Sequence, residues 1–286
     1  MTIPQVSIIV PCYKQAHYLQ ESLQSVLDQI FDAWECIIVN DGSPDSTENV
    51  AQKWCTKDAR FKYIKKTNGG LSSARNAGIE ISRGEFILPL DADDVLHKAL
   101  LSTLVPVLET NRDVAVVSCY SKFFDGTLSN IVNELKPKGD SYKHLLYVNQ
   151  LVATSLYRKS LWKAVGGYDE SMKKGFEDWE FWIAITKSGW KYKIIPEYLF
   201  YYRKAEKSML VDTINNHTEI VKQYIITKHK ELYIEDFENC VEVFTYHLKV
   251  SRAKEKRLQN SIEYKSGKVL LKPFRLLGLL KTKDKG

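Results

Sequence analysis

Apolar, β-branched runs alternate with helix-period segments through the first 120 residues, and this alternation restricts the fold more than any other feature of the chain. Val6–Val10 and Cys36–Val39 have the apolar character of strands buried in the sheet, and further strands are expected at Phe61–Ile64, Phe86–Leu90 and Val114–Tyr120. Between them, Ala16–Gln29 carries Leu19, Leu23, Val26 and Leu27 at helical spacing. Further helices are expected after an Asp45 or Ser46 cap, from Leu71 to Ile81 and from Lys98 to Thr110. Strand-helix units with short connections imply an α/β fold: a mostly parallel, Rossmann-like sheet flanked by helices. After Tyr120 the rhythm breaks. A second organised block is expected from Ala153–Tyr157 onward, with helices around Ser160–Val165 and from Asp178 and late strands at Tyr192–Ile195 and Leu199–Arg203. From Ile214 onward the pattern is helical, over Ile214–Lys230 and Ile234–Lys256.

The densest chemical signal follows the fourth strand, where Leu90 leads into Asp91-Ala92-Asp93-Asp94. Carboxylates this crowded repel one another unless a cation or several hydrogen-bond donors offset their charge. A helix cap at Asp93 or Asp94 explains one aspartate, not all of them. At the carboxyl end of a buried parallel strand, where open sheets bind ligands, a hard divalent ion bridging to a phosphate is the natural neutraliser. Two further strand ends converge on the same crevice in such a sheet: Pro11-Cys12-Tyr13, and Asp41 with Ser43 and Asp45. An aromatic ring, a lone carboxylate and an acidic cluster together suit a nucleotide diphosphate, although Asp41-Gly42-Ser43 alone reads as a tight turn. Asn68-Gly69-Gly70 opens the third helix, and its glycines let backbone approach a ligand. The segment lacks both the Walker lysine and the GxGxxG spacing. Arg75, one turn into that helix, opposes the dipole and is expected to pair with a carboxylate or an anionic ligand.

Composition narrows the setting. Hydrophobic content of 44% and charged content of 27% over 286 residues support a sizeable core. The five cysteines are scattered without a CxxC, which argues for reduced thiols rather than a disulfide framework or zinc site. With no basic-apolar leader and no apolar run of about 18 residues, a cytoplasmic protein is expected. From Ser251 to Gly286, eleven Lys or Arg stand against three acids, so the other 250 residues carry a net −2 of the total +6. The basic character belongs to the tail, and the body is not a nucleic-acid binder by charge.

Four motifs combine into a resemblance. Val-Ser-Ile-Ile-Val-Pro-Cys-Tyr (6–13), Val-Asn-Asp-Gly-Ser-Pro-Asp-Ser-Thr (39–47), Asn-Gly-Gly-Leu-Ser-Ser-Ala-Arg-Asn (68–76) and Leu-Asp-Ala-Asp-Asp (90–94) resemble the family 2 glycosyltransferases of the GT-A fold, over roughly residues 5–210. The resemblance implies a nucleotide-sugar-binding half (1–120), an acceptor and catalytic-base half (121–212) and a helical C-terminal extension with a basic amphipathic tail (213–286). It implies an inverting transfer of a hexosyl or N-acetylhexosaminyl group, from a UDP-sugar by family habit, to a hydroxyl of a glycan or lipid-linked acceptor in surface polysaccharide biosynthesis. Pro11 and Tyr13 then line the base pocket and Asp41 meets the base. Asn68, Gly70 and Arg75 support the donor, Asp91 with Ala92 faces ribose or sugar, and Asp93 holds Mn²⁺ or Mg²⁺. Asp94 is expected as a cap or a partner behind the site.

Phe176-Glu177-Asp178-Trp179-Glu180 resembles the family's Glu-Asp motif. A sugar hydroxyl is a poor nucleophile at neutral pH, so a carboxylate must take its proton. Asp178 is the expected base, with Glu177 as fallback and a helix N-cap as its structural alternative. Trp179, with Trp182, is either an acceptor platform or core. One departure stands out: Ala205 follows Tyr202-Arg203-Lys204 where a polar metal or diphosphate ligand is usual, leaving Arg203 or Lys207 to neutralise charge. The tail at 268–281 mixes cations with apolar residues and suits an anionic membrane surface on the inner face of the cell membrane, or a docked helix opened by Pro273. A nucleotidyltransferase would need a Gly- and Lys-rich loop that Pro11–Ala16 does not supply. A non-catalytic nucleotide-sugar or glycan-binding protein on the same scaffold is the remaining alternative.

Overall fold

The computed structural model describes residues 3–205 and 208–276. The described residues up to Lys230 form one compact unit and those from Glu231 another. In the first, β1 (Val6–Cys12) and β2 (Trp34–Asn40) are buried at every position, as expected of largely apolar strands covered on both faces, and the polar Ser7, Glu35 and Asn40 are buried with the rest. α1 (Ala16–Leu27) turns Leu19, Leu23 and Val26 inward between them. α2 (Thr47–Lys57) then leads to β3 (Phe61–Lys65), and α3 (Leu71–Ile81) to β4 (Phe86–Pro89). A Cβ at Gly78 would lie 2.6 Å from the Ile9 side chain and 2.9 Å from that of Val39. Only a glycine there lets α3 lie this close to the sheet.

The remainder of the unit is less regular. β5 (Val95–Leu96) and α4 (Leu100–Thr110) precede the long β6 (Val114–Phe124). β7 (Ile131–Leu135), α5 (Tyr142–Leu145), β8 (Leu156–Arg158), α6 (Lys159–Val165), α7 (Glu177–Thr186) and β9 (Lys191–Arg203) follow. α8 (Met209–Asp212), a π turn at Thr213–His217 and α9 (Thr218–Lys228) complete it. α10 (Lys230–Glu235) leads into the second unit, which contains α11 (Phe237–Asn260) and α12 (Ile262–Leu276).

The strands form a single sheet in the order β3-β2-β1-β4-β8-β6-β9-β5, with β7 paired to β6. β3, β2, β1 and β4 are mutually parallel, as the β-α rhythm requires. Beyond β4 the sheet is mixed: β8 runs antiparallel to both β4 and β6, while β6 and β9 are parallel. The two late strands expected at 192–195 and 199–203 are one bulged strand. Its register against β6 jumps from Ile195 to Tyr198 across Pro196, which has no N–H for the ladder.

Register decides where the loops emerge. Cys12 lies opposite Asn40, Asn40 opposite Lys65, and Leu90 donates its N–H to the Ile9 carbonyl. The segments beginning at Tyr13, Asp41, Lys66 and Asp91 therefore leave one edge of the sheet together. The unit boundary falls at Lys230/Glu231 rather than at the expected 213, because α9 buries Val221 and Ile225 and its last residue, Lys228, pairs with Glu180 of α7. Pro273 lies inside α12 instead of opening a helix. Lys207 and residues 277–281 lie outside the described residues.

Candidate active site

The loops after β1 and β2 are strapped together by Asp45. Its carboxylate accepts the Ala16 N–H (3.0 Å) at the start of α1 and the Thr47 N–H (3.1 Å) at the start of α2, together with the hydroxyls of Ser43 and Thr47. These donors hold it down to about 2 despite its partial burial. The Lys14 N–H donates to Ser43 Oγ at 2.8 Å. Tyr13 is 43% exposed, with Lys14 Nζ 5.1 Å from its ring centre. Pro11 lies buried on β1, opposite Val39.

Asp41 organises the neighbouring glycine loop. Its buried carboxylate accepts the N–H groups of Gly69 (3.0 Å) and Gly70 (2.8 Å) and the ammonium of Lys66 (3.0 Å). Asn68 Nδ2 donates to the Asp41 carbonyl at 2.9 Å, and a Cβ at Gly42 would approach the Asn68 nitrogen to 2.8 Å. Asp41 and Asn68 thus set the start of α3, and with it the position of Arg75.

The aspartates after β4 have separate environments. Asp91 pairs with Arg75 Nη2 at 2.9 Å. Asp94 is buried and accepts the Arg203 N–H at 2.8 Å, and burial followed by the charges of Asp93 and Asp91 raises its carboxyl well above the usual range. Asp93 accepts a hydrogen bond from Gln15 Nε2 at 2.8 Å. Burial and then the Asp91 charge push it up to about 6, against the opposing pull of Arg203 and Gln15. A hard divalent ion held by one or two carboxylates and completed by ligand phosphates and water fits this donor set. Among the described residues, no group of three or more His, Cys, Asp or Glu side chains forms a ready-made metal cage.

Arg75 is the centre of the arrangement. It is 1% exposed, with Nη2 on Asp91 and Nη1 on Glu177 at 2.6 Å. One guanidinium therefore joins the strand-end acidic cluster to the start of α7. The expected pairing with a carboxylate is met twice over, by residues 16 and 102 positions away. Asp178, next along α7, accepts the Trp179 N–H at 2.8 Å and Asn149 Nδ2 at 3.1 Å, and keeps partial exposure. Burial and then the Glu177 charge push its carboxyl up to about 7, against the opposing pull of Arg75.

Three expected ligand contacts are corrected by packing. The Ala92 methyl is fully buried and faces no open site. Trp179 and Trp182 are buried too, with Trp179 Nε1 donating to the Leu145 carbonyl at 2.6 Å, so they are core and not an acceptor platform. Arg203 is 4% exposed and is committed to the carbonyls of Asp93 (2.8 Å) and Gly126 (2.9 Å) and to Glu21, between the rings of Tyr18 and Phe124. It braces the acidic turn from behind instead of reaching a diphosphate. The Ala205 methyl has no group with which to ligate an ion.

Several positioning residues escaped the sequence reading. Asn76 Oδ1 accepts from the Tyr168 N–H (2.8 Å) and Trp162 Nε1 (2.9 Å), while its Nδ2 donates to the Tyr168 carbonyl (2.9 Å), tying α3 to the 166–170 loop. Its place at the end of the 68–76 motif was the available signal. Gln15 and Asn149 had none, because neither stands at a diagnostic spacing. Asn149 is held in turn by the Leu151 N–H at 3.2 Å. Replacing it with Ala removes a hydrogen bond that favours ionised Asp178. The acid limb of the kcat/KM profile should move up by roughly one pH unit, with about a fivefold loss at pH 7. An unmoved limb would show that Asn149 is structural only.

Comparison with known proteins agrees with this geometry. The sequence profile described as Glycosyl transferase family 2 matches residues 7–163. The uncharacterized glycosyltransferase EpsJ of Bacillus subtilis is 32% identical over 218 residues, covering 72% of this chain and 63% of that protein. The minor teichoic acid biosynthesis protein GgaB of Bacillus subtilis is 27% identical over 267 residues, covering 90% of this chain and 29% of that protein. The chain thus spans less than two thirds of either relative's length. Among solved structures, the mannosyltransferase PcManGT from Pyrobaculum calidifontis, in complex with GDP-Man and Mn²⁺, superposes with a TM-score of 0.63 at 18% identity, covering 98% of this chain and 82% of that one. At that identity the likeness is one of fold.

Proposed function

Because this chain belongs to glycosyl transferase family 2, we propose that it moves a sugar, with inversion, from a nucleoside diphosphate to a hydroxyl of a glycan or lipid-linked acceptor. A hexosyl or N-acetylhexosaminyl group carried on UDP is the donor we favour, and residues 1–120 and 121–212 are its donor and acceptor halves. The similarity to GgaB, a minor teichoic acid biosynthesis protein, supports surface polysaccharide assembly as the setting. The observation that carries the reading is the Arg75 bridge, which ties the acidic strand end, through Asp91, to Glu177 beside Asp178.

The chemistry follows from the roles these groups can take. Tyr13 packs against the base beside Pro11, and Asp41 offers the base its remaining lone pair while its other contacts hold the Gly69-Gly70 loop. Asp91, fixed by Arg75, faces the ribose or sugar. Asp178 takes the proton of the acceptor hydroxyl as its oxygen bonds to the anomeric carbon, and the bond from that carbon to the diphosphate oxygen breaks on the opposite face. Asp93 and the donor phosphates would hold Mn²⁺ or Mg²⁺, which supplies charge neutralisation for the departing diphosphate. Asp94 and Arg203 keep the Asp93 turn in place from behind.

The test is release of nucleoside diphosphate from nucleotide sugars with and without Mn²⁺. Asp93→Ala should abolish the metal-dependent part, at least ~100-fold, and remove the metal-dependent thermal stabilisation by donor. Donor binding without turnover in the parent protein would instead support a non-catalytic binding protein, the reading that Ala205 favours.

A further inference from the structure

We propose that α12, supported by the basic second half of α11, is an interfacial segment that lies on an anionic lipid surface. From Lys249 to Leu276 the chain carries nine Lys or Arg against Glu255 and Glu263. Within α12, Lys265, Lys268 and Lys272 recur at i, i+3 and i+7 and share one side of the helix. Ile262, Val269 and Leu276 run along the adjoining side, with Leu270 and Phe274 further round. Those five side chains are 80%, 70%, 80%, 71% and 50% exposed. α11 has no buried residue either.

Propensity alone does not account for this helix, since Gly267 and Pro273 both lie within it and are the two weakest helix formers. An apolar medium that covers the broad arc while the lysine stems reach back to polar headgroups would account for it. Charge complementarity selects the occupant. A second copy would bring two strongly basic segments together, and it would want a narrow a/d seam in place of so wide an arc. Anionic lipid supplies both the counter-charge and the apolar area. Among the described residues no helix is long and apolar enough to cross a membrane, so the contact is with the surface.

Such a contact would hold the enzyme where a lipid-linked acceptor is presented. That consequence rests on the function proposed above, whereas lipid binding does not. The experiment is co-sedimentation of the full chain, without donor, with vesicles of phosphatidylcholine alone or of equal parts phosphatidylcholine and phosphatidylglycerol. Binding is expected on the anionic vesicles only. K265Q/K268Q/K272Q should weaken it roughly 100-fold. L270S/F274S should weaken it with the net charge unchanged. Equal binding to both vesicle types, or undiminished binding by either variant, overturns the proposal. So does a concentration-dependent dimer that L270S/F274S dissociates while vesicles bind nothing. Failure of the transferase reading would appear as absent turnover with vesicle binding intact, and the two are therefore separable.

Discussion

Asp178→Asn is expected to lower kcat by ~10²–10⁴-fold while leaving donor affinity within about twofold. Asn keeps the size and one of the hydrogen bonds of the carboxylate, from Asn149 or from the Trp179 N–H, but cannot accept a proton. The fold should not suffer. Burial raises the Asp178 carboxyl from its unfolded value to about 7, so the folded chain binds the proton more tightly than the unfolded one. Stability is therefore highest below the unfolded value and declines as pH rises from about 4 toward 7. An uncharged Asn escapes that decline, and the variant should melt no lower than the parent at pH 8. Activity has the opposite slope: the base works only when ionised, so kcat/KM should fall as pH drops through about 7. Asp178→Asn with near-parental turnover would remove this residue from the chemistry and transfer attention to Glu177. The same measurement on Glu177→Gln is the control, and there the loss should accompany a lower melting temperature, because Glu177 is a partner of the buried Arg75.

The parallel half of the sheet was legible because residues buried on both faces leave a largely apolar run, as at Ile8–Val10 of β1 and Cys36–Val39 of β2. What followed was harder to read for physical reasons. β5 and β8 are too short to show a period, and β7 is exposed at every position after Ile131. Pro196 split β9 into two apparent strands, although a bulge absorbs it. The convergence of Tyr13, Asp41 and the 91–94 cluster on one edge could be anticipated from topology alone. The division of labour among the aspartates could not. It depends on Arg75 and Arg203 arriving from distant elements, and Arg203 reached its place through the Asp93 carbonyl rather than through any ligand-like motif. Large aromatics stay open for the same reason: Trp179 reads equally as sugar platform or core until its indole is found bonded to the Leu145 carbonyl.

Removing Arg75 should be the most damaging single change to stability. Arg75→Met keeps much of the buried volume but leaves Glu177, itself 5% exposed, and Asp91 without their shared cation. Breaking one side of a buried ion pair costs ~3–5 kcal/mol, because the stranded charge must be neutralised or hydrated. Arg75→Lys should recover only part of the loss, since a single ammonium cannot span two carboxylates in the forked geometry of a guanidinium. The double variant R75M/E177Q should be more stable than R75M alone, because it withdraws the more deeply buried of the two charges. Denaturation midpoints of the parent and these variants decide the matter. A loss below about 1 kcal/mol would mean that the two carboxylates find other partners. Arg75 would then be a bystander between the acidic turn and α7, and the two halves of the site would need some other link to act on one sugar.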